Sequence, residues 1–131
     1  MRCLILWART KAGLRTLHAN SKLGKSADLK ARELLRCQVF AHAPCGHDTF
    51  RVFRQAGYAP SGAWQAGENI AWGTAQLGSP RAIMRAWLNS TGHRRNILKP
   101  EWKDQGVALR TGDFIGHSAA AIWVSHFGRR L

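Results

Sequence analysis

Three titratable residues stand where helical patterns end and turns begin. His42 lies in VFAHAPCG, Glu68 in GENIAWG and His93 in NSTGHRRNIL. Histidine and glutamate are side chains that commonly serve as general acids, general bases and metal ligands near neutral pH. None of the three stands in a local signature such as HExxH, G-x-S-x-G or a P-loop. Taken singly, a histidine is more often a hydrogen-bonded structural residue than a ligand.

Helical spacing indicates the elements that precede His42. Residues 4–12 place apolar side chains on one face, and Gly13 is a suitable stop for this helix. A longer helix can be capped by Asn20 or Ser21. Its apolar face is predicted to comprise Leu23, Ala27, Ala31, Leu34 and Leu35. Its basic residues are predicted to lie largely off that face, namely Lys25, Lys30, Arg32 and Arg36.

Two further helices are predicted before the strands. Asp48 can cap a short third helix. The fourth helix has the clearest signals, with Ser79 as the N-cap and Pro80 at the first helical position. We expect it to end at Gly92, which places His93 just beyond it.

The apolar period changes to two in the last third of the chain. Val107 and Leu109 alternate in one run and residues 122–127 alternate in another, joined by the loop TGDFIGHS. Helices therefore come first and at least two antiparallel strands come last, without βαβ alternation. This order predicts an α+β fold in which helices cover a small antiparallel sheet, as a single domain over residues 1–131.

Composition and charge narrow the class of protein. The 131 residues are 45% apolar, and 20 Lys and Arg against 7 Asp and Glu give a net charge of +13. Such a charge favours anionic partners, for instance cell-envelope polymers, acidic lipids or nucleic acid. The basic residues are scattered without an interleaved aromatic ladder, so no specific nucleic-acid site is predicted. The opening MRCLILWARTKAGL is predicted to be a helix and not a signal peptide, so any secretion signal is expected upstream or missing.

The three cysteines leave two readings open. Cys37 and Cys45 flank a short loop containing Pro44 and Gly46, and a disulfide between them would contribute roughly 2–3 kcal/mol in the chain-entropy model. The alternative is a pair of buried thiols in a cytosolic protein. Cys3 is left over in either case and is unassigned.

Taken together, five separate motifs resemble the CAP superfamily, which comprises the cysteine-rich secretory, antigen 5 and pathogenesis-related 1 proteins. These motifs are FAH…CG…F…AGY, GENIAWG, SPRAIMRAWLNS, TGHRRNIL and the closing W-V-S-H-F-G. They occur in the order found in the family, from about Leu4 to Gly128, and the similarity is to its bacterial branch. The resemblance implies a three-layer α-β-α sandwich with a small antiparallel sheet.

The resemblance also implies a central cleft lined by two histidines and two acidic residues. Three of these positions fall on His42, Glu68 and His93. The fourth acid of many family members ends a W-x-x-E run, and here Ser90 stands at that position after Trp87. This departure removes one carboxylate, which argues against a mechanism that needs a carboxylate pair.

In that cleft, His42, His93 and Glu68 would form a metal site in which zinc is the most suitable divalent ion, because calcium prefers oxygen ligands. Asn69 is predicted to be structural, with its amide bonded to backbone groups. The alternative is that Glu68 only forms a salt bridge and holds its segment in place, leaving the cleft without a ligand.

The resemblance implies a secreted, monomeric binding domain more readily than an enzyme. Its cleft would take a divalent metal ion or a small ligand, and its basic surface would favour an anionic cell envelope. Some family members bind lipid, for which Tyr58 and Trp64 are candidate contacts, although burial in the core is favoured for both. The alternative function is a peptidase-like, metal-assisted hydrolase that uses the same cleft.

Overall fold

The computed structural model describes residues 1–58 and 61–131. Helices pack on both faces of a four-stranded sheet, so the three-layer α-β-α sandwich is confirmed. The helices are α1 (Arg2–Lys11), α2 (Ser21–Cys37), α3 (Arg51–Gln55), α4 (Pro80–Leu88) and α5 (Thr91–Ile97), with a 3-10 helix over Ala75–Gly78. The strands are β1 (His18–Ala19), β2 (Trp64–Gly73), β3 (Asp104–Phe114) and β4 (His117–Arg130).

The sheet has the strand order β1-β3-β4-β2. β3 and β4 form an antiparallel hairpin, β2 is antiparallel to β4, and the two-residue β1 is parallel to β3. β2 therefore lies at one edge of the sheet, which leaves its outer side open to residues from loops and helices.

Successive side chains of β4 pack against different helices on the two faces of the sheet. Ile122 and Val124 pack in one cluster with Leu34 of α2, whereas Trp123 and Phe127 pack in another cluster with residues of α1, α4 and α5. Because successive strand residues point to opposite faces, the period-two pattern in the sequence correctly identified both sides of this strand.

The prediction that the strands follow the helices is wrong for β1, which precedes α2, and for β2, which precedes α4. Glu68, Asn69 and Ile70 are consecutive and all buried, so this strand lacks the polar-apolar alternation that reveals a half-buried strand. The loop predicted over residues 111–118 is also shorter than expected. Ile115 and Gly116 alone form the turn, both at positive φ (47° and 81°), a combination that type I′ hairpins require.

Two predicted caps hold, at α2 and α4. The Asn20 carboxamide oxygen accepts from the backbone of Lys22 and Leu23, and the Ser79 hydroxyl oxygen accepts from the backbone of Ala82. The predicted Asp48 cap of α3 is wrong, because Phe50 is the N-cap there and the Asp48 carboxylate accepts from the backbone of Phe50, before the helix begins. Gly92 does not close α4, because the extended backbone of Ser90 has already ended it and Gly92 lies inside α5.

Helix α2 lies directly on strand β3 at Gly106. A Cβ atom built on Gly106 would stand 2.6 Å from the carbonyl oxygen of Leu23 and closer still to the backbone nitrogen of Gly24. Only glycine permits this approach of two backbones. Gly106 is also the direct cross-strand partner of His126, so the contact sets how closely α2 approaches the centre of the sheet.

A disulfide joins Cys37, the last residue of α2, to Cys45 in the following loop, while Cys3 is an exposed thiol. Tyr58 is fully buried and Trp64 is partly buried against the same cluster, so they contribute to the core. Ala59 and Pro60, between them in the segment that was considered for lipid contact, lie outside the described residues. Within the described ranges, none of the helices has the length and apolarity needed to span a bilayer.

Candidate functional site

The candidate site lies at the open edge of β2, between the two helical layers. Glu68 stands in the middle of β2, directly opposite His126 of β4. His42 comes from the loop that follows α2, and His93 from the first turn of α5. The segment after α2 and the start of α5 therefore each bring one histidine to the strand that carries the carboxylate.

The Glu68 carboxylate is held from three directions. Its Oε1 lies 2.7 Å from His42 Nδ1, its Oε2 lies 2.7 Å from His126 Nε2, and Lys30 Nζ lies 3.6 Å from the same Oε2. Burial alone would raise the pKa of Glu68, but the hydrogen bonds from His126 and His42 and the nearby positive charges lower it to about 2. The carboxylate is therefore ionised at neutral pH although it is only 7% exposed.

His126 connects this carboxylate to helix α2. Burial lowers the pKa of His126, so the ring is neutral, and its Nε2–H must donate to the ionised Glu68. Nδ1 is then an acceptor 2.7 Å from the Ser26 hydroxyl oxygen, and the single hydroxyl proton is shared between this nitrogen and the carbonyl oxygen of Leu23 at 2.9 Å. Phe53 stacks on the imidazole ring and fixes its plane. This order of serine, histidine and carboxylate resembles a catalytic triad, but Ser26 and His126 are fully buried and are closed to substrate.

Lys30 is the buried cation beneath the site. Its ammonium donates to the backbone carbonyls of His42 and Thr49, and its side chain is 1% exposed. The prediction that Lys30 lies off the apolar face of α2 is wrong. The reason is the charge of Glu68, which compensates a cation at a position where an apolar residue is normally expected.

His42 and His93 each use the Nδ1 atom of the ring in a side-chain contact. The hydrogen bond to Glu68 raises the pKa of His42, whose side chain is 53% exposed. Burial and the neighbouring charge of His42 lower the pKa of His93. The Nδ1 of His93 lies 2.8 Å from the Ser90 hydroxyl oxygen, and among the described residues neither Nε2 has a hydrogen-bond partner.

Two asparagines hold the His93 segment against β2. The Asn69 side chain donates to the carbonyl of His93, and the Asn96 side chain donates to Asn69 Oδ1 and to the carbonyl of Glu68. Trp102 in turn donates its indole N–H to the carbonyl of Asn96. The amide of Asn69 thus bonds to backbone, as a structural role requires, and α5 is fixed relative to the carboxylate.

The four residues expected in the cleft are neighbours, but they form two pairs. Glu68 contacts His42 directly, whereas His93 contacts Ser90. Across residues 1–58 and 61–131, no set of three His, Cys, Asp or Glu side chains is arranged to hold a metal ion. The contribution of Glu68 as a third metal ligand stays a prediction.

Sequence reasoning missed three residues that surround Glu68, namely Ser26, Lys30 and His126. Ser26 and Lys30 lie one turn apart on α2. They share the buried face of this helix with Leu23 and Leu34. A lysine at a core position of an apolar stripe is a usable signal for a buried carboxylate partner. His126 has the equivalent signal, since it occupies an inward position in the alternation of β4.

Comparison with known proteins places this geometry in context. The sequence model of the cysteine-rich secretory protein family matches residues 4–127. The protein YkwD of Bacillus subtilis is 35% identical over 120 residues, which are 91% of this chain and 42% of that protein. The chain thus spans less than half the length of this relative.

Solved structures give the same picture of the fold. An outer surface protein of Borrelia burgdorferi aligns with a TM-score of 0.81 at 22% identity, over 99% of this chain and 90% of that one. An extracellular protein of Bacillus anthracis that contains an SCP domain aligns with a TM-score of 0.73 at 25% identity, over 96% of this chain and 38% of that one.

Proposed function

Because this chain belongs to the cysteine-rich secretory protein family, we propose that it is an exported binding domain that acts without catalysis, through the cleft between His42 and His93. The observation that carries the proposal is the set of bonds around Glu68. Each oxygen of the carboxylate is hydrogen-bonded to a histidine. Because His42 makes this bond with Nδ1, its Nε2 faces away from the carboxylate.

The ligand that suits this cleft best is a divalent ion, with zinc as the first choice. The ion could be the bound species itself, or it could anchor a small polar molecule. His42 and His93 would hold the ion through imidazole nitrogen, and the ion would supply a Lewis-acid centre for oxygen or nitrogen donors. Glu68 would act behind His42 by accepting its Nδ1–H, which fixes the tautomer and makes Nε2 a better donor. This support role differs from direct ligation and fits a carboxylate whose two oxygens each already accept a hydrogen bond from a histidine.

We expect zinc binding that depends on both cleft histidines. Calorimetric titration of the wild type should show binding that weakens by at least about tenfold in His42→Ala and in His93→Ala, since loss of a mere supporting partner already costs roughly 10–100-fold. Binding should also weaken as the pH falls, because Glu68 raises the pKa of His42 and protons compete for its Nε2.

His18→Ala is the matched control, since His18 is exposed and lies on β1 away from the cleft. Circular dichroism should confirm that all three variants fold. Equal affinities in wild type and both cleft variants would contradict the metal part of the proposal.

A second candidate is a peptidase-like hydrolase in the same cleft, favoured by the 2.8 Å separation of Ser90 Oγ and His93 Nδ1. This pair has the contact that a serine nucleophile and its base require. Glu68 is a poor candidate for the base, because its oxygens are engaged by His42 and His126.

This alternative predicts turnover of a broad peptide library that disappears in both Ser90→Ala and His93→Ala. Activity that survives in either purified variant, or none in the wild type, would remove the candidate.

The extracellular placement is supported by two features. The matched solved structures are described as outer surface and extracellular proteins. The Cys37–Cys45 disulfide is typical of proteins that fold in an oxidising compartment. The net charge of +13 would then favour association with an anionic envelope.

A further inference from the structure

A second polar site lies on the outer surface of α2, away from the cleft. Arg32 and Arg36 of α2 and Arg51 of α3 line a recess of about 350 Å³, together with Glu33 and the histidine at position 47. We call it the arginine recess. Its volume is at the lower end of the range for ligand pockets, which suits a small charged group.

The arginines of this recess lack counter-ions within the protein. Among the described residues, no carboxylate oxygen lies within 4 Å of the three guanidinium groups, and Glu33 forms no ion pair with them. Three arginines against one glutamate leave two uncompensated positive charges at the recess.

The acidic residues near the arginine recess are committed elsewhere. Asp28, one turn before Arg32, forms a bidentate pair with Arg110, and Asp48 pairs with Arg54. Internal neutralisation of the recess is therefore not available from these two carboxylates.

The disulfide fixes one wall of the arginine recess. Cys45 is tied to the end of α2 at Cys37, and Arg36 donates to the Cys45 sulfur at 3.6 Å. The following loop, which carries His47, is thereby held against α2. The arrangement is built before any ligand arrives, so little loop ordering opposes binding.

We propose that the arginine recess binds a phosphate group. Guanidinium forks match phosphate oxygens in bidentate fashion, and all three strong cations here are arginines and not lysines. Phosphate can come from a soluble phosphate compound or from the headgroup of an anionic lipid, and both share this chemistry. The larger cavity beside β1 is less suitable, because it is lined by two arginines and a lysine and so offers one guanidinium group fewer for bidentate pairing.

The test uses pyrophosphate as the soluble probe, titrated calorimetrically into the full chain at low ionic strength. Arg32→Gln/Arg36→Gln should weaken binding by about tenfold or more, the loss expected when charge-assisted hydrogen bonds are removed. Arg81→Gln/Arg85→Gln is the matched control, since it removes two exposed arginines one turn apart on α4, on the other face of the sheet. It should weaken binding less than about twofold.

The source of the phosphate is decided with vesicles of phosphatidylglycerol, compared with phosphatidylcholine. If the wild type binds phosphatidylglycerol vesicles, pyrophosphate displaces it and Arg32→Gln/Arg36→Gln does not bind them, the phosphate belongs to a lipid headgroup. If the wild type binds pyrophosphate but not the vesicles, the ligand is a soluble phosphate compound. Equal losses in recess and control variants, or no pyrophosphate binding by wild type, would overturn the proposal. His42→Ala/His93→Ala should bind pyrophosphate as wild type does, which separates this result from the fate of the cleft.

Discussion

Replacement of Glu68 by glutamine should lower the free energy of unfolding by about 3–5 kcal/mol, the usual cost of removing one partner from a buried ion pair. The substitution leaves the Lys30 ammonium buried without its negative charge and weakens the acceptor for His126. A loss of this size is a large fraction of the stability of an ordinary domain. Urea unfolding followed by tryptophan fluorescence measures it.

The pH dependence of this stability follows from the sign of the pKa shift of Glu68. Its pKa falls from an ordinary value of 4.5 to about 2 on folding. The stabilisation is therefore fully present above pH 4.5 and is lost as the pH falls towards 2, in total about 3 kcal/mol. The difference in stability between wild type and Glu68→Gln should shrink over that interval.

Glu101→Gln is the control, because Glu101 is exposed and has no hydrogen bond or ion pair among the described residues. It should change the free energy of unfolding by less than about 0.5 kcal/mol. If Glu68→Gln were equally mild at neutral pH, Glu68 would not be the counter-charge of Lys30.

Substitution of Gly106 by alanine should also destabilise the domain severely, by about 3 kcal/mol or more. The added methyl group would overlap the backbone of Leu23 and Gly24, and overpacking against rigid backbone is relieved only by moving α2 from the sheet. Ser26, which reaches His126 from that helix, would move with it. The expected result is loss of cooperative thermal unfolding or a strong decrease in Tm.

Gly112 provides a comparison on the same strand. An alanine Cβ there would meet only the methyl carbons of Leu35, at 3.3 and 3.6 Å, and these can shift. Gly112→Ala should therefore alter stability by less than about 1 kcal/mol. Similar effects of the two alanine substitutions would mean that α2 does not rest on Gly106.

Much of the fold was accessible from sequence because its signals are local. Ser79 and Pro80 specify a helix start through the backbone groups of a single turn, and the alternation of β4 reports two differently packed faces. β2 gave no such signal, because its consecutive buried residues include the polar Glu68 and Asn69. Its identity depends on pairing with β4, which lies about fifty residues further along the chain.

Only part of the candidate site could be predicted from the sequence, for a similar reason. Motif resemblance placed His42, Glu68 and His93 near one another, but it did not say which of them touch. Contacts such as that between Ser26 and His126, 100 residues apart, depend on the seating of α2 over Gly106. No pattern within one element contains that information. Lys30 could have indicated the need for a counter-charge, but it was predicted to lie off the buried face of α2.

The anchoring of the loop between α2 and α3 has a consequence for how selectively the cleft can bind. Lys30 holds this loop at His42 and Thr49, and the disulfide holds it at Cys45. A segment fixed at three points loses little conformational entropy when a ligand arrives, but it also cannot adapt to ligands of different shape. Discrimination by this domain would then rest on rigid complementarity, with molecules rejected by misfit instead of accommodated by rearrangement.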